Sequence, residues 1–313
     1  MTTDIHVHSI VAKTHNGQRL DLYLSKRFTY LSRNAWQQEI KKSKILINNL
    51  IISSSHKKVF EGDEVIYTGR NLEEPPVDKS YSILYEDENY IAVNKSGDLP
   101  IHPSGRYLNN TLTMILKKEL GYEVYPVHRI DRETSGLILL AKSTDAVSLI
   151  SKTFSQSKKT YLTIAKGTPQ RKTFTIDLPL GPDLNSKIRK KRGAYEEAHE
   201  KAITHFKTIR SLKNHTLLEA TLETGRLHQI RAHLEAIQLY ILGDKIYGGN
   251  EDFYLEFIKD VVDENLFERI GFGRSALHSR SLEFYDPYKK ETIRIVAPLL
   301  KDMKGFIIDN KKS

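Results

Sequence analysis

The stretch Val127-His128-Arg129-Ile130-Asp131-Arg132-Glu133-Thr134-Ser135-Gly136-Leu137-Ile138-Leu139-Leu140-Ala141-Lys142 constrains this chain more than any other. Its first half places arginines at i−2 and i+1 of one aspartate. Its second half is apolar, and Ile138-Leu139-Leu140-Ala141 reads as a strand. A carboxylate flanked by two guanidiniums is a costly arrangement if buried and an ordinary one if exposed. Opposite charge favours the ionised form, so Asp131 is expected to be an anion at neutral pH. A positioned, ionised carboxylate serves as a nucleophile or as a base. The plain alternative is a solvated loop with weak surface ion pairs. For an isolated Arg-x-Asp-Arg that alternative would win, so the rest of the chain decides.

Composition narrows the choice. A length of 313 residues points to two domains or one large one. The absence of cysteine excludes disulfides, thiolate catalysis, iron–sulfur clusters and cysteine-based zinc sites. Met1 to Val7 shows no basic region followed by a long apolar run, so a cytoplasmic protein is expected. The net charge of +9 is unevenly spread. Between Arg19 and Lys58 there are nine Lys or Arg and two Asp or Glu. A second cluster is Lys187-Ile188-Arg189-Lys190-Lys191-Arg192. Such clustering favours a polyanionic partner through counterion release. Nucleic acid is preferred to a membrane surface, because no basic amphipathic helix with large exposed apolar residues stands out.

Residues 12–70 read as a small unit. A short helix surrounds Leu20 to Arg27, and a second runs from Ala35 to Lys42 with Ser32 as its N-cap. Lys44 to Ile51 is a β-branched run broken by Asn48-Asn49, which reads as a hairpin. Val59 to Tyr67 reads as a turn and closing strand. Residues 71–80, acidic and carrying Pro75-Pro76, read as a semi-rigid linker. Beyond it, residues 81–300 mix short strands with helices and show no regular βαβ alternation, which favours an α+β fold. Strands are expected at Tyr81–Tyr85, Tyr90–Lys95, Tyr161–Ala165 and Leu217–Leu222. Helices are expected at Thr144–Gln156 and His228–Ile237. Residues 301–313 read as a basic C-terminal tail.

The small unit resembles the S4 RNA-binding domain, on Arg19-Leu20-Asp21, Ser32-Arg33-Asn34, Ile47-Asn48-Asn49 and Glu61-Gly62-Asp63-Glu64-Val65. It departs from that pattern at Ser43 and Asn49, where glycine is common. The resemblance implies that Arg33, Lys41, Lys42 and Lys44 face RNA.

The larger region resembles the RluA-type family of pseudouridine synthases. Four segments carry the resemblance: His128 to Gly136; Lys159-Thr160-Tyr161 with Gly167; Gly225 to Leu234 with Gly243-Asp244-Lys245-Ile246-Tyr247-Gly248; and Ala276-Leu277-His278-Ser279 with Ala297-Pro298-Leu299. The resemblance implies a catalytic domain with a mixed, largely antiparallel sheet and flanking helices. It implies isomerisation of specific uridines, with large-subunit ribosomal RNA as the expected substrate. A monomer is the default expectation. Asp131 is then the catalytic aspartate, Tyr161 packs on the uracil, and Arg226 pairs with Asp131. Arg129 enters the stack vacated by the flipped base. Arg132, His228 and Arg231 are further expected RNA contacts, while Ile230 and Leu277 are expected to pack. The reaction breaks N1–C1′ and forms C5–C1′, with no redox change and no atom gained or lost. No cofactor and no metal is therefore expected. His228 and His233, at i and i+5, do not share a helical face suited to a metal.

Three alternatives stay open at this point. A synthase acting on transfer RNA would carry the same motifs. A non-catalytic RNA-binding protein would have lost Asp131, Tyr161 or Arg226, and all three are present. A hydrolase or phosphotransferase using Asp131 would need a phosphate-binding glycine loop or clustered aspartates, and neither is found.

Overall fold

The computed structural model describes residues 3–28, 31–72, 74–104, 107–258 and 268–312. The chain divides into two compact units, Met1–Val77 with His102–Ile115, and Asp78–Ile101 with Leu116–Ser313.

The first unit contains strands β1 (Thr3–Ile10), β2 (Ile45–Ile47), β3 (Leu50–Ile52) and β4 (Glu64–Leu72), and helices α1 (Leu20–Arg27) and α2 (Arg33–Lys41). The strands form one antiparallel sheet in the order β1-β4-β2-β3. The hydroxyl of Ser32 caps α2 by accepting the Ala35 N–H at 3.2 Å. Asn48 and Asn49 turn β2 into β3 with φ of 49° and 65°. Two successive left-handed residues match the twist of a tight hairpin. Ser43, at φ 58°, fills the other left-handed position without glycine. Leu20, Tyr23, Leu24, Trp36, Ile40 and Ile45 are fully buried in the core. Trp36 also donates its indole N–H to the Phe28 carbonyl at 3.0 Å. Truncating such a buried ring typically costs about 3–5 kcal/mol.

Three features of this unit lay beyond the sequence reading. Strand β1 precedes residue 12 and pairs with β4. Strand β4 runs on to Leu72, into the expected linker, of which Glu73 lies outside the described residues. Leu108 packs on this core, and the Glu74 carboxylate accepts the N–H groups of Asn109 at 2.8 Å and Asn110 at 2.7 Å.

The second unit is built on a ten-stranded sheet. Its strands are β5 (Tyr81–Glu86), β6 (Tyr90–Lys95), β7 (Tyr125–Pro126), β8 (Ser135–Ala141), β9 (Lys158–Lys166), β10 (Thr173–Asp177), β13 (Ile203–Ser211), β14 (His215–Leu222), β15 (Leu277–Asp286) and β16 (Glu291–Val296). A separate ribbon pairs β11 (Leu180–Pro182) with β12 (Arg192–Ala194). The main path runs β10-β13-β14-β9-β15-β8-β6-β5, with β16 on β15 and β7 on β8. Among the described residues only β8 and β15 pair in parallel, so the sheet is mixed and largely antiparallel. The helices are α3 (Leu112–Leu120), within which the unit boundary falls, α4 (Thr144–Ser151), α5 (Gln229–Ala236), α6 (Asp252–Ile258) and a closing helix, Lys301–Asp309.

Every residue of β8 is buried, which explains its unbroken apolar run: a strand covered on both faces has no polar side to alternate with. At Gly136, φ is 104° and a Cβ would lie 2.3 Å from the Ser279 carbonyl oxygen. Glycine is thus required where β8 meets β15.

The helix expected over Thr144–Gln156 ends at Ser151, followed by a 3₁₀ turn at Phe154–Gln156. The hydroxyls of Ser151 and Thr153 bond back to the carbonyls of Ser148 and Ile150, the local competition that shortens helices. The expected basic tail is instead mostly a packed helix, with Met303 and Ile307 buried. Its charge misled the reading, because the apolar spacing of Met303 and Ile307 marks a buried stripe. Among the described residues no helix is long and apolar enough to cross a membrane.

Candidate active site

Asp131 sits in the loop between β7 and β8, and that loop is pinned from behind. Lys95, fully buried at the end of β6, donates to the carbonyls of Ser96 at 2.9 Å and Arg132 at 3.0 Å. Burial, with Arg274 nearby, pushes its ammonium down to about 7. The Glu133 carboxylate accepts from Lys245 at 3.0 Å and from the Ser275 N–H at 3.2 Å. Gly243, at φ 75°, precedes Asp244 at a point where a Cβ would lie 2.0 Å from the Arg274 carbonyl oxygen. Backbones therefore converge around this loop, and its rigidity comes from main-chain anchors as much as from side chains.

The Asp131 carboxylate is 24% exposed and opens into a cleft with about 390 Å³ of empty space. The cleft is lined by Arg129, Asp131, Tyr161, Arg226, His228 and Arg231. Ile130, Ile230 and Leu277, all nearly buried, supply apolar wall. Of these, Ile230 and Leu277 serve as packing residues that also line the site.

The sequence reading paired Asp131 with Arg226, and the structure corrects this. Arg231 Nη1 donates to Asp131 Oδ2 at 2.8 Å. Arg226 is exposed and donates its Nε–H to the Lys201 carbonyl at 3.0 Å. The two arginines are five residues apart, and the chain reverses between them at His228, which is left-handed with φ 58°. Arg231 falls in the first turn of α5, where side chains lean back towards the helix N-terminus. The nearby arginines do not hold Asp131 either: Arg132 engages Asp98 at 3.5 Å and Glu133 at 3.1 Å. Arg132 is thus committed within the fold rather than presented to RNA. Arg129 is exposed at the cleft.

Arg231 is itself fixed by a second carboxylate. Its Nε and Nη2 donate to Asp244 at 2.6 and 2.8 Å. This arginine is buried between two acids, which raises its pKa further, and it is not available as the expected RNA contact. Burial alone would raise both carboxyls, but the guanidinium overrides it. Asp131 is held below the usual carboxylate range, and Asp244 is held down to about 2 with help from the N–H groups of Ile246 and Tyr247. Neither Asp244 nor Tyr247 was given a role from sequence. Both stood inside the quoted Gly243-to-Gly248 motif, and a buried Arg231 in need of a second acid was the missing signal.

Tyr161, on β9, is 7% exposed and lines the cleft. Burial pushes its phenol up to about 12, so it is neutral, although a hydrogen bond with Ser279 opposes the rise. His228 is also turned inward. Its Nδ1 lies 2.9 Å from Tyr247 Oη and its Nε2 lies 3.7 Å from Asp131 Oδ1. It is not the outward RNA contact expected. His233 is fully buried between Thr204 Oγ1 at 2.8 Å and the Leu178 carbonyl at 2.9 Å, a structural placement.

The basic surfaces also differ from their sequence pattern. In the first unit Arg33 donates to Asp21 at 2.9 Å, and Lys42 and Lys44 pair with Glu39 at 3.1 and 2.9 Å. Lys41 is exposed and has no ion pair among the described residues. In the second cluster Lys191 is buried among Asp183, Glu235 and Glu251, at 3.4, 3.0 and 3.1 Å. Arg192 pairs with Glu200. Lys187 lies 3.9 Å from Asp252, so three of that cluster's five basic side chains have acidic partners within the fold.

A family model described as RNA pseudouridylate synthase matches residues 89–236. An uncharacterised RNA pseudouridine synthase of Chlorobaculum parvum is 32% identical, over 94% of each chain. The ribosomal large subunit pseudouridine synthase D of Vibrio cholerae is 31% identical over 97% of this chain and 94% of that one. Among solved structures, human RNA pseudouridylate synthase domain containing 1 shares the fold, with a TM-score of 0.56 at 19% identity, covering 76% of this chain and 97% of that one.

Proposed function

The chain belongs to the RNA pseudouridine synthase family, and on that premise we propose that it isomerises uridine in the RNA of the large ribosomal subunit, in the cytoplasm. The substrate assignment is supported by relatives from Vibrio cholerae and Escherichia coli that carry that substrate in their names. The observation that carries the mechanism is the Asp131 carboxylate, ionised by Arg231, partly open, and facing a cleft beside Tyr161.

The roles follow from that geometry. Asp131 is the catalytic carboxylate. Tyr161 is a neutral ring on which the uracil packs, a contact worth about 1–3 kcal/mol. Arg231 holds Asp131 ionised and in one rotamer. Arg129 is free to enter the stack that the flipped base vacates. Arg226, at the edge of the same cleft, suits a phosphate. The first unit is an S4-like RNA-binding module, and its contribution is mainly charge.

The test is direct. Large-subunit ribosomal RNA and transfer RNA, both transcribed in vitro, are incubated separately with the protein and no added cofactor, and pseudouridine is mapped. Conversion at discrete sites in the ribosomal RNA, lost in Asp131→Asn, is the expected result. Conversion of transfer RNA alone would overturn the substrate. No conversion of either RNA would overturn the activity.

A further inference from the structure

His228 stands out because its backbone is expensive and its ring is not a cap. A non-glycine residue at φ 58° is an unusual placement, and it makes no side-chain cap bond to α5. What the conformation achieves is to turn the imidazole inward, where its side chain is 8% exposed.

The ring's proton can be placed from its neighbours. Tyr247 is fully buried. Its Oη accepts the Arg192 N–H at 2.8 Å and lies 2.9 Å from His228 Nδ1. If Nδ1 carried the imidazole proton, the phenol would accept twice and its own proton would be buried without an acceptor. Burying an unsatisfied donor is unfavourable. The phenol therefore donates to Nδ1, and the imidazole proton sits on Nε2. That nitrogen lies 3.7 Å from Asp131 Oδ1, the oxygen not taken by Arg231.

We propose that His228 is a positioning residue for Asp131: Tyr247 fixes its tautomer, and its Nε2–H is aimed at Oδ1 so that the carboxylate is oriented through both oxygens. The inference rests on the synthase reading and deepens it. The charged and titratable groups facing the ring are Arg231, Asp131, Asp244, Lys190 and Tyr247. Burial and then Arg231 push the imidazole down to about 4. At neutral pH it therefore acts as an N–H dipole and not as a cation. A separation of 3.7 Å is longer than a hydrogen bond. It closes when uridine fills the cleft, as catalytic contacts do on substrate binding.

The experiment combines a spectroscopic and a kinetic arm on the full chain. In ¹⁵N-histidine-labelled protein, the resonance lost in His228→Gln is that of His228. It should report an unprotonated Nδ1 and a protonated Nε2 at neutral pH, and Tyr247→Phe should mix the two tautomers. On ribosomal RNA, His228→Leu should lower kcat by about 10²-fold, the scale of losing one aimed donor, with little change in KM. His228→Gln keeps an N–H and should recover most of that loss. A wild-type Nδ1–H tautomer, an unaltered kcat in His228→Leu, or equal losses in the Gln and Leu variants would each overturn the proposal. So would a loss confined to KM, which would make His228 an RNA contact. A wild-type protein that forms no pseudouridine overturns the synthase reading instead, and leaves the tautomer measurement to judge His228.

Discussion

The two units are each organised around an ion cluster, and the clusters have opposite composition. In the first unit one carboxylate, Asp21, is fully buried and receives Arg19 at 3.1 Å, Arg33 at 2.9 Å and Gln37 at 2.7 Å. In the second, one guanidinium, Arg231, is 9% exposed and is held by Asp131 at 2.8 Å and Asp244 at 2.6 Å. The first cluster leaves an excess positive charge on arginines that are 33% and 45% exposed. The second leaves an excess negative charge, and of its two acids Asp131 is the one that water reaches, because Asp244 is fully buried. The buried member of each cluster thus fixes the sign of what is presented outward: cations suited to a polyanion in one unit, a poised carboxylate in the other.

That contrast can be broken by substitution. Asp131→Asn should have the largest effect on activity, lowering conversion by more than about 10³-fold. Stability should barely change, because Arg231 keeps Asp244. Mapped pseudouridine and a thermal melt decide it, and measurable turnover by the Asn variant would remove Asp131 from the reaction. Arg231→Met should abolish most activity and also destabilise by about 3–5 kcal/mol, since it strands a buried charge on Asp244. The mirror change, Asp21→Asn, strands arginines that water can reach and should cost less, about 1–3 kcal/mol, with no change in kcat at saturating RNA. Equal costs in urea titrations would show that the two clusters are energetically alike.

Acid titration sharpens the comparison further. Asp244 has a folded value near 2 against about 3.9 unfolded, so it contributes roughly 2.6 kcal/mol. A depressed carboxyl gives stability that is full above its unfolded value and is lost as pH falls through its folded one. Wild type should therefore lose this increment between about pH 4 and pH 2, whereas Asp244→Asn should already lack it at pH 7. Identical pH–stability curves would contradict the pairing. The smallest effect is expected at the surface. Lys41→Ala should reduce the slope of log affinity against log salt by roughly 0.9 on a duplex. Lys44→Ala should reduce it less, because Glu39 already neutralises that lysine.

Much of this was legible in the sequence, in a patterned way. Local chemistry read well: Ser32 caps, Asn48-Asn49 turns, and Tyr90–Lys95 is a strand. The α+β class followed from irregular alternation. What failed were pairings decided at long range. Asp131 finds its partner a hundred residues on, and its flanking arginines, which seemed to ionise it, do not. Arg226 and Arg231 are indistinguishable in composition, and only the left-handed turn at His228 separates them. The cluster at 187–192 looked like a nucleic-acid patch, yet Lys191 is enclosed by three acids from distant segments. The segment His102–Ile115 could not have been assigned to the first unit from spacing alone, because its anchors are Glu74 and a core built from the N-terminal residues.

The parallel pairing of β8 with β15 at Gly136 has a consequence for the order of events during synthesis. Ser135 and Gly136 register against His278 and Ser279, and the loop bearing Asp131 is clamped by Lys245, Arg274 and Ser275. Each of these partners is translated more than a hundred residues after the loop they hold. Contacts of such separation close late in folding. On the proposed function, a nascent chain that has already emitted its first unit would meet RNA through that unit's charge while its aspartate is still unheld. On that reading, the chain would be a binder before it is a catalyst, and would become a catalyst only once strand β15 had left the ribosome that made it.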